Sequence, residues 1–207
     1  MKAAVKRPVQ LKLKRVMDIA VSLAGLALLS VPMAVVVAVI KLESPGPALL
    51  KQKRAGQGGK LFVLYKFRSM REAEPGREAH EQRVTPFGTF IRRWRVDELP
   101  QLFNVLKGDM SLVGPRPTLP YQVERYNEFQ RRRLEAKPGI TGWAQIHGDR
   151  SLNWPERIEL DVWYVDNWSL ALDIRILFMT PLALLRIRKV NVETGPPEDE
   201  ISKEVRG

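Results

Sequence analysis

The chain has 207 residues, no cysteine, and 34 Lys and Arg against 23 Asp and Glu, which gives a formal net charge of +11. The length suits one compact functional unit and is short for two. Without cysteine there is no disulfide, no thiolate metal site and no cysteine nucleophile. The positive charge indicates an anionic partner, which can be nucleic acid, an acidic lipid surface or a phosphorylated substrate.

Residues 19–40 carry no charged side chain. A straight helix of this length rises about 33 Å, enough to cross a hydrocarbon core of roughly 30 Å. The simplest interpretation is therefore one transmembrane helix. A cleaved signal peptide fits less well, because the apolar run is long and no small-residue cleavage site is evident before Lys41.

Two features of this run favour a re-entrant helix, which enters and leaves the membrane by one face. Basic residues flank both ends, and the positive-inside rule places such flanks on the cytoplasmic side. They are Lys2, Lys6, Arg7, Lys12, Lys14 and Arg15 before the run and Lys41, Lys51, Lys53 and Arg54 after it. Pro32 removes a backbone hydrogen bond and kinks the helix, and the Ser30 hydroxyl can satisfy a freed carbonyl. Since spanning helices also tolerate proline, the residues alone leave both topologies open.

Two strands are predicted next, at residues 48–52 and 61–67, joined by a glycine-rich loop at residues 54–59. This loop lacks the Lys-Ser/Thr ending of a phosphate-binding P-loop, so a plain hairpin turn is the better interpretation. Residues 70–83 are polar and predict a mobile surface segment or lid.

Two helices follow with clear boundary signals. Thr85 opens the first, in which Phe90, Ile91 and Trp94 share one face. Pro100 suits the first turn of the second helix, which runs to about Lys107 and is followed by Gly108. The acidic pair Asp97-Glu98 falls at the junction between the two helices.

A single charged amphipathic helix is predicted over residues 121–136, where the arginine run 131–133 is typical of a solvated face. Nearer the C-terminus, apolar residues recur with helical spacing at Ile174, Leu177, Phe178, Pro181, Leu182 and Leu185. Aromatic residues (Trp163, Tyr164, Trp168) precede them and basic residues (Arg186, Arg188, Lys189) follow them. Because this segment contains Asp173 and Arg175 it is a poor span, and an interfacial helix and an ordinary core helix remain equally open.

The pair Asp97-Glu98 is the first candidate for chemistry. Nearby arginines at 92, 93 and 95 and a helix start both keep a carboxylate ionised, the state that a nucleophile or a divalent-ion ligand needs. Acidic residues at helix starts also serve as capping or dipole residues, so the pair alone says little. Its neighbours along the chain make it interesting.

Cations for a phosphate group lie on both sides of this pair in the sequence. Two glycines and two prolines in residues 108–117 frame Arg116, and such a rigid turn presents its guanidinium in a fixed direction. Lys66 and Arg68 end the second predicted strand, and only one of them needs to face the site. The segment at residues 138–145 can contact a base or sugar. The candidates for nucleotide-sugar binding are Thr141 and Gln145 of this segment, together with Gly114 and Pro115 of the turn before Arg116.

The metal indicated by this set of residues is magnesium, with Asp97 and Glu98 as candidate ligands. The sequence has no His/Cys cluster, and magnesium is commonly held by one or two carboxylates together with substrate phosphates. The residues therefore indicate a membrane-surface enzyme that acts on a phosphoanhydride. A membrane-anchored basic protein that binds nucleic acid or anionic lipid is the alternative, which explains the charge and leaves Asp97-Glu98 without a purpose.

Three segments in this order and separation resemble the bacterial sugar transferases, the monotopic phosphoglycosyl transferases. They are Lys66-Phe-Arg-Ser-Met70, the segment from Asp97-Glu-Leu-Pro-Gln101 to Gly114-Pro-Arg-Pro117, and Pro138-Gly-Ile-Thr-Gly-Trp-Ala-Gln145. The resemblance runs from about Lys12 to Lys189. It implies a mostly helical α+β fold, in which a re-entrant membrane hairpin joins a small cytosolic domain with interfacial amphipathic helices and a short β-hairpin.

The resemblance also implies an activity. A UDP-sugar donates its sugar 1-phosphate to a polyprenyl (undecaprenyl) phosphate at the cytosolic face of the bacterial inner membrane, UMP is released, and assembly of a surface glycan begins. The aspartate matching Asp97 is the nucleophile that forms a phosphosugar-enzyme intermediate. Glu98 matches its partner, which positions magnesium or accepts a proton, and Arg116 matches a phosphate-binding arginine. No nucleic-acid partner is then expected, and direct transfer without an intermediate is the alternative mechanism.

The sequence departs from the family pattern in two places. Family members with the hairpin have an adjacent Ser-Pro, whereas Val31 separates Ser30 from Pro32 here. The N-terminal spanning bundle of larger relatives has no counterpart, so we expect the minimal catalytic form. Its predicted parts are a basic segment (1–18), the membrane helix (19–40), the catalytic domain (41–190) and a polar disordered tail (191–207). No residue indicates which sugar is transferred or what the oligomeric state is.

Overall fold

The computed structural model describes residues 8–71, 84–148 and 151–187. Within them the fold is a mostly helical α+β arrangement, as predicted. Its helices are α1 (Pro8–Glu43), α2 (Pro86–Arg93), α3 (Gln101–Lys107), α4 (Pro120–Glu124), α5 (Glu128–Arg131), α6 (Trp143–His147), α7 (Trp154–Asn167) and α8 (Leu170–Ile187). Its strands are β1 (Leu49–Ala55), β2 (Leu61–Phe67), β3 (Ser111–Val113) and β4 (Gly139–Thr141). The predicted tail and most of the predicted surface segment at 70–83 lie outside the described residues.

The apolar run lies within α1, a single helix of 36 residues that contains Pro32. By length and composition α1 can cross a membrane, and only 6% of its most apolar window is buried inside the protein. The Ser30 hydroxyl donates to the carbonyl of Ala27 at 2.8 Å. The carbonyl that loses its partner to Pro32 is that of Leu28, four residues earlier. The predicted pairing of Ser30 with the freed carbonyl is therefore wrong.

Polar side chains in the first half of α1 fasten it to the rest of the protein. Asp18 is buried and accepts hydrogen bonds from the Ser111 hydroxyl (3.1 Å) and the Leu112 amide (3.0 Å) of β3. Arg15 donates to two carbonyls in the last turn of α3, where helix carbonyls lack intrahelical partners. Residues 8–18 of the predicted basic segment are thus part of a docked helix.

A second buried contact ties α1 to α8. Asp173 is fully buried and accepts from Lys14 (2.5 Å), the Tyr164 hydroxyl (2.7 Å) and the Trp168 indole (3.1 Å). Burial and the charge of Asp173 raise the pKa of Tyr164 well above its ordinary value, so this hydroxyl stays a donor. The aspartate within α8 is therefore a packing residue of the domain.

The predicted hairpin is confirmed. β1 and β2 pair antiparallel, from Leu49 opposite Phe67 to Ala55 opposite Leu61. The connecting turn places Gly58 at φ 64° and Gly59 at φ 78°, a left-handed conformation that glycine adopts without strain. β3 and β4 form a separate parallel pair, with Ser111 opposite Gly139 and Val113 opposite Thr141.

The single helix predicted over residues 121–136 is wrong. The chain forms α4, then α5, then a 3₁₀ turn at Arg132–Glu135. The break comes at Asn127, whose side chain accepts from the Gln130 amide (2.9 Å) while the Gln130 side chain accepts from the Asn127 amide (3.1 Å). Such a capping box begins a new helix. The expectation of a solvated arginine run also fails at Arg133, which is buried.

The apolar stripe predicted in α8 lies on the outer surface of the domain. Phe178 is 79% exposed, and Ile174, Leu182 and Leu185 are exposed as well. The opposite side of α8 packs into the core through Ile176. One side of α8 therefore belongs to the core, and most of the predicted stripe is exposed on its other side.

The two largest apolar clusters among the described residues hold several of the elements together. The larger joins β2, α3, β3, α7 and α8 and contains Leu64, Leu102, Val105, Met110, Leu112, Val113, Tyr164, Val165, Trp168 and Ile176. The smaller packs the second half of α1 against the hairpin and α2 and contains Val36, Ile40, Ala48, Phe67 and Ile91. Val96 and Leu99 pack on this smaller cluster and flank the acidic pair.

Candidate active site

The acidic pair lies in a short 3₁₀ turn, Val96–Glu98, between α2 and α3. Arg95 enters this turn at φ 56°, a left-handed conformation that non-glycine residues seldom adopt and that concentrates at functional sites. The turn leaves both acidic residues buried, each being 7% exposed.

Glu98 is held by two arginines. Its Oε1 accepts from Arg95 at 2.8 Å and from Arg116 at 3.0 Å. Burial by itself would raise the pKa of Glu98, but Arg116 and Arg95 outweigh burial and lower the pKa to about 2. Glu98 is therefore ionised at neutral pH, as expected for this pair, and the two arginines fix the orientation of its carboxylate.

Asp97 lies beside this arrangement without a comparable partner. Its Oδ1 is buried and accepts no hydrogen bond from the described residues. Burial first, and the charge of Glu98 second, raise the pKa of Asp97, and Arg95, Lys66 and Arg116 offset only part of that rise. At Asp97, unlike at Glu98, the nearby cations therefore do not outweigh burial. A carboxylate with a raised pKa and an uncommitted oxygen is more basic than a paired one.

Arg116 reaches the acidic pair from a loop that β3 and β4 hold in place. The Gly114 amide donates to the Thr141 carbonyl and the Gly139 amide donates to the Pro115 carbonyl, each at 2.9 Å. A Cβ atom on Gly114 would lie 2.2 Å from the Lys137 carbonyl, so only glycine fits this close approach. The loop therefore presents the Arg116 guanidinium to Glu98 from a rigid base.

Behind this loop lies a buried ion pair that the sequence analysis missed. Arg133 pairs with Asp161 and donates to the Tyr126 hydroxyl (2.7 Å) and to the main-chain carbonyl of Arg116 (3.1 Å). Burial disfavours the charged guanidinium, but Asp161 and Tyr126 outweigh burial and raise the pKa of Arg133.

A signal for this pair is present in the sequence. Asp161 follows Ile158 by three residues and precedes Val165 by four, so it occupies a core position on the inner face of α7. A charged residue at a core position requires a buried partner. The sequence does not say which of the nearby arginines provides it.

Lys66 and Arg68 contact different parts of the structure. The charge of Lys66 acts on Asp97 and offsets part of the rise in its pKa, so Lys66 lies near the acidic pair. Arg68 is buried and donates to the carbonyls of Ser44 (2.7 Å) and Pro45 (2.5 Å), in the turn that follows α1. Arg68 therefore holds the turn that follows α1 against the hairpin.

The four candidates for base or sugar contact also have different surroundings. Gly114 and Pro115 form the loop that leads to Arg116. The Thr141 hydroxyl is hydrogen-bonded to the Thr180 hydroxyl of α8 at 2.8 Å. Gln145 donates to the Ile140 carbonyl (3.1 Å), and its Oε1 is a buried acceptor without a partner among the described residues. Thr141 thus engages α8, and Gln145 keeps one uncommitted oxygen.

The described residues contain no group of three or more His, Cys, Asp or Glu that could hold a metal ion. Among the described residues, a metal bound here therefore has at most Asp97 and Glu98 as carboxylate ligands, and one oxygen of Glu98 already accepts from two arginines. The uncommitted oxygen of Asp97 and the all-oxygen donor set fit magnesium, which takes its remaining ligands from phosphate and water.

Comparison with known proteins gives consistent matches. The family profile described as Bacterial sugar transferase matches residues 9–187. The "Uncharacterized sugar transferase EpsL" of Bacillus subtilis is 48% identical over 186 residues, covering 88% of this chain and 89% of that protein. The "Undecaprenyl-phosphate galactose phosphotransferase" of Salmonella typhimurium is 42% identical over 194 residues, covering 84% and 40% respectively. The "UDP-glucose:undecaprenyl-phosphate glucose-1-phosphate transferase" of Escherichia coli is 41% identical over 181 residues, covering 81% and 39%.

The chain thus spans most of EpsL and about two-fifths of the two phosphotransferases. The three motifs that carried the resemblance all lie inside the matched range of residues 9–187. The profile match and the identity to EpsL confirm the resemblance. The chain therefore belongs to the bacterial sugar transferase family and is a transferase.

Proposed function

We propose that this protein transfers a sugar 1-phosphate from a UDP-sugar to undecaprenyl phosphate and releases UMP. The observation that carries the proposal is the environment of Asp97. One of its carboxylate oxygens is buried and uncommitted, while Arg95, Lys66 and Arg116 supply positive charge around it. Such a site attracts a phosphoanhydride and offers it a nucleophile. The names of the Salmonella typhimurium and Escherichia coli relatives support the donor and the acceptor.

The reaction proceeds in two displacements at one phosphorus atom. An oxygen of ionised Asp97 attacks the phosphorus that bears the sugar, and the bond from that phosphorus to the bridging oxygen breaks, so that UMP leaves. The aspartyl phosphosugar is then attacked by a phosphate oxygen of the acceptor. The acyl phosphate bond breaks, the Asp97 carboxylate is restored, and the sugar is left on a lipid diphosphate.

The neighbouring residues stabilise charge and geometry during these steps. Arg116 and Lys66 bind the oxygens of the reacting phosphates, where negative charge develops. Glu98 holds the guanidiniums of Arg95 and Arg116 in place. Magnesium, held by Asp97 and Glu98, would neutralise charge on the diphosphate.

The test is a screen for UMP release over a panel of UDP-sugars, with undecaprenyl phosphate and magnesium. We expect turnover with one donor or a few related donors, which also identifies the sugar. Salt-sensitive binding of nucleic acid, without turnover of any donor, would instead support the membrane-anchored binding protein.

We also propose that α1 enters and leaves the membrane by the cytosolic face. At this face the protein begins surface glycan assembly. Contacts at both ends of the helix support this topology: Asp18 binds β3, and Ile40 packs with the hairpin and α2. A helix of 36 residues is about 54 Å long. If it crossed the membrane upright, one end would be carried away from the domain. The basic residues that flank the apolar run favour the cytosolic side of the membrane for both of its ends.

The outer surface of α8 supports the same placement. The guanidinium of Arg175 in α8 lies over the ring of Trp143 at 5.9 Å, and Trp143 stacks on the exposed Trp163 with ring centroids 4.6 Å apart. Exposed aromatic residues beside an apolar helix face are typical of proteins that lie in the membrane interface. We therefore propose that α8 rests on the membrane as an interfacial helix.

Tags at Met1 and Gly207 test the topology of α1. We expect both tags to be inaccessible to protease or to an impermeant label in intact cells, and both to react once the cells are opened. A periplasmic control protein with the same tag must react in intact cells. Accessibility of one terminus from outside would establish a simple spanning helix.

The acid limb of the pH–rate profile tests the coupling between the two carboxylates. At a fixed magnesium concentration, kcat/KM for the UDP-sugar should fall as Asp97 is protonated, with a midpoint above the ordinary 3.8, because burial and Glu98 raise the pKa of Asp97. Glu98→Gln removes the neighbouring negative charge, so the midpoint should move to lower pH. The exposed Glu135→Gln variant is the control and should not shift it. A midpoint that is unchanged or higher in Glu98→Gln would contradict this coupling.

A further inference from the structure

An apolar groove of about 490 Å³ lies between the second half of α1 and the domain. Met33, Ala34 and Val37 of α1 form one side of it. Phe67 at the end of β2 and Phe103 of α3 contribute to the other side. The volume falls within the range of pockets that hold small molecules.

The groove adjoins the candidate active site through the chain itself. Phe67 directly follows Lys66, and Pro100, another lining residue, comes two positions after Glu98. Phe67 also belongs to the smaller apolar cluster, on which Val96 and Leu99 pack on either side of the acidic pair. One wall of the groove is therefore built from the elements that position Asp97 and Lys66.

The lining of the groove selects for hydrocarbon. Lys41 is the one charged residue among those that line it, and the others are apolar. A nucleotide sugar needs hydrogen-bond donors and acceptors, which these apolar side chains do not supply. A hydrocarbon chain with an anionic head group matches both the apolar lining and the single cation. The α1 side of the groove is also continuous with the apolar surface that the protein leaves uncovered.

We propose that this groove binds the first isoprene units of the polyprenyl phosphate acceptor and directs its phosphate toward Asp97. The inference rests on the proposed function and adds the location of the acceptor. In this arrangement α1 forms part of the acceptor site as well as the membrane anchor. The donor enters separately, on the side of Lys66 and Arg116.

The proposal is tested by a substitution that fills the groove with a larger side chain. Ala34→Trp in the full-length protein in lipid nanodiscs should raise the KM for a long-chain polyprenyl phosphate by about tenfold or more, the effect expected when about two methylene groups lose an apolar contact. The burst of UMP released from the UDP-sugar without acceptor should not change. Val35→Trp, at the neighbouring and exposed position outside the groove, is the matched control and should leave the acceptor KM unchanged.

The possible outcomes distinguish failure of the groove proposal from failure of the proposed function. If the wild-type protein does not turn over polyprenyl phosphate, the proposed function fails. If the wild-type protein turns over the acceptor and Ala34→Trp has the same acceptor KM as Val35→Trp, the groove is a site for bulk lipid or for nothing, and the inference is overturned.

A second measurement does not depend on the folding of a variant. A polyprenyl phosphate with a photoreactive group in its first isoprene unit should label wild-type peptides that contain Val37 or Phe103. An excess of unlabelled polyprenyl phosphate should abolish this labelling, and an equal excess of phospholipid should not. Labelling at the exposed Leu28, or competition by phospholipid alone, would overturn the inference.

Discussion

Replacing Asp97 by Asn is expected to reduce UMP release from the UDP-sugar by about 10³-fold or more. The amide keeps the size of the side chain and removes the anionic oxygen that attacks phosphorus in the proposed mechanism, and loss of a covalent nucleophile has effects of this order. The protein should remain in the membrane fraction, because Asp97 contributes nothing to the apolar surface of α1. The measurement is the initial rate of UMP release, with the membrane-bound protein quantified in the same samples.

Asp109→Asn is the matched control for this substitution. Asp109 follows α3 and pairs with Lys107 at 3.4 Å, so losing its charge should leave the reaction intact. In the wild-type protein without acceptor, we expect one equivalent of UMP and the mass of a sugar phosphate on the peptide that contains Asp97. Retained turnover in Asp97→Asn would refute the nucleophile. Turnover without a trapped phosphosugar would favour direct transfer.

Replacing Arg133 by Met is expected to destabilise the domain by about 3–5 kcal/mol. Both side chains of the Arg133–Asp161 pair are 2% exposed, so the substitution leaves a buried carboxylate without its cation. Tyr126 and the Arg116 carbonyl lose a donor at the same time. The measurement is denaturant-induced unfolding of the purified protein, followed by tryptophan fluorescence.

The adjacent arginine provides the control. Arg132 pairs with Asp166, and their side chains are 36% and 44% exposed, so Arg132→Met should cost at most about 1 kcal/mol. The double variant Arg133→Met/Asp161→Leu should recover most of the lost stability, because an apolar pair can replace a buried ion pair at little cost. Equal destabilisation by Arg132→Met and Arg133→Met would refute the structural role of the buried pair.

Asp97 and Arg133 are linked by a series of contacts. Arg133 supports the main-chain carbonyl of Arg116, Arg116 binds Glu98, and Glu98 is the neighbour whose charge helps to raise the pKa of Asp97. The buried pair thus continues the chain of contacts that begins at Asp97. Charge placed near a reacting phosphate stabilises it best when it is fixed in advance.

Local signals in the sequence determined the elements around the site. Thr85 caps α2 by accepting from the Gly88 amide at 2.9 Å, and Gly108 ends α3 at φ 88°. Such signals act within a few residues and require no knowledge of the rest of the fold. They placed the hairpin and the junction that carries Asp97-Glu98, and the order of three motifs was enough to identify the family.

Only the tertiary structure decided what each charged residue contacts. Asp18 binds Ser111, 93 positions away, and Arg133 pairs with Asp161, 28 positions away. The same long-range packing assigns Arg68 to the exit of α1 and brings Lys66 to Asp97. Burial then raises the pKa of Asp97 although cations surround it. Desolvation and ion pairing depend on distances in space, so residues that look alike in sequence, such as Arg132 and Arg133, receive opposite environments when the chain folds.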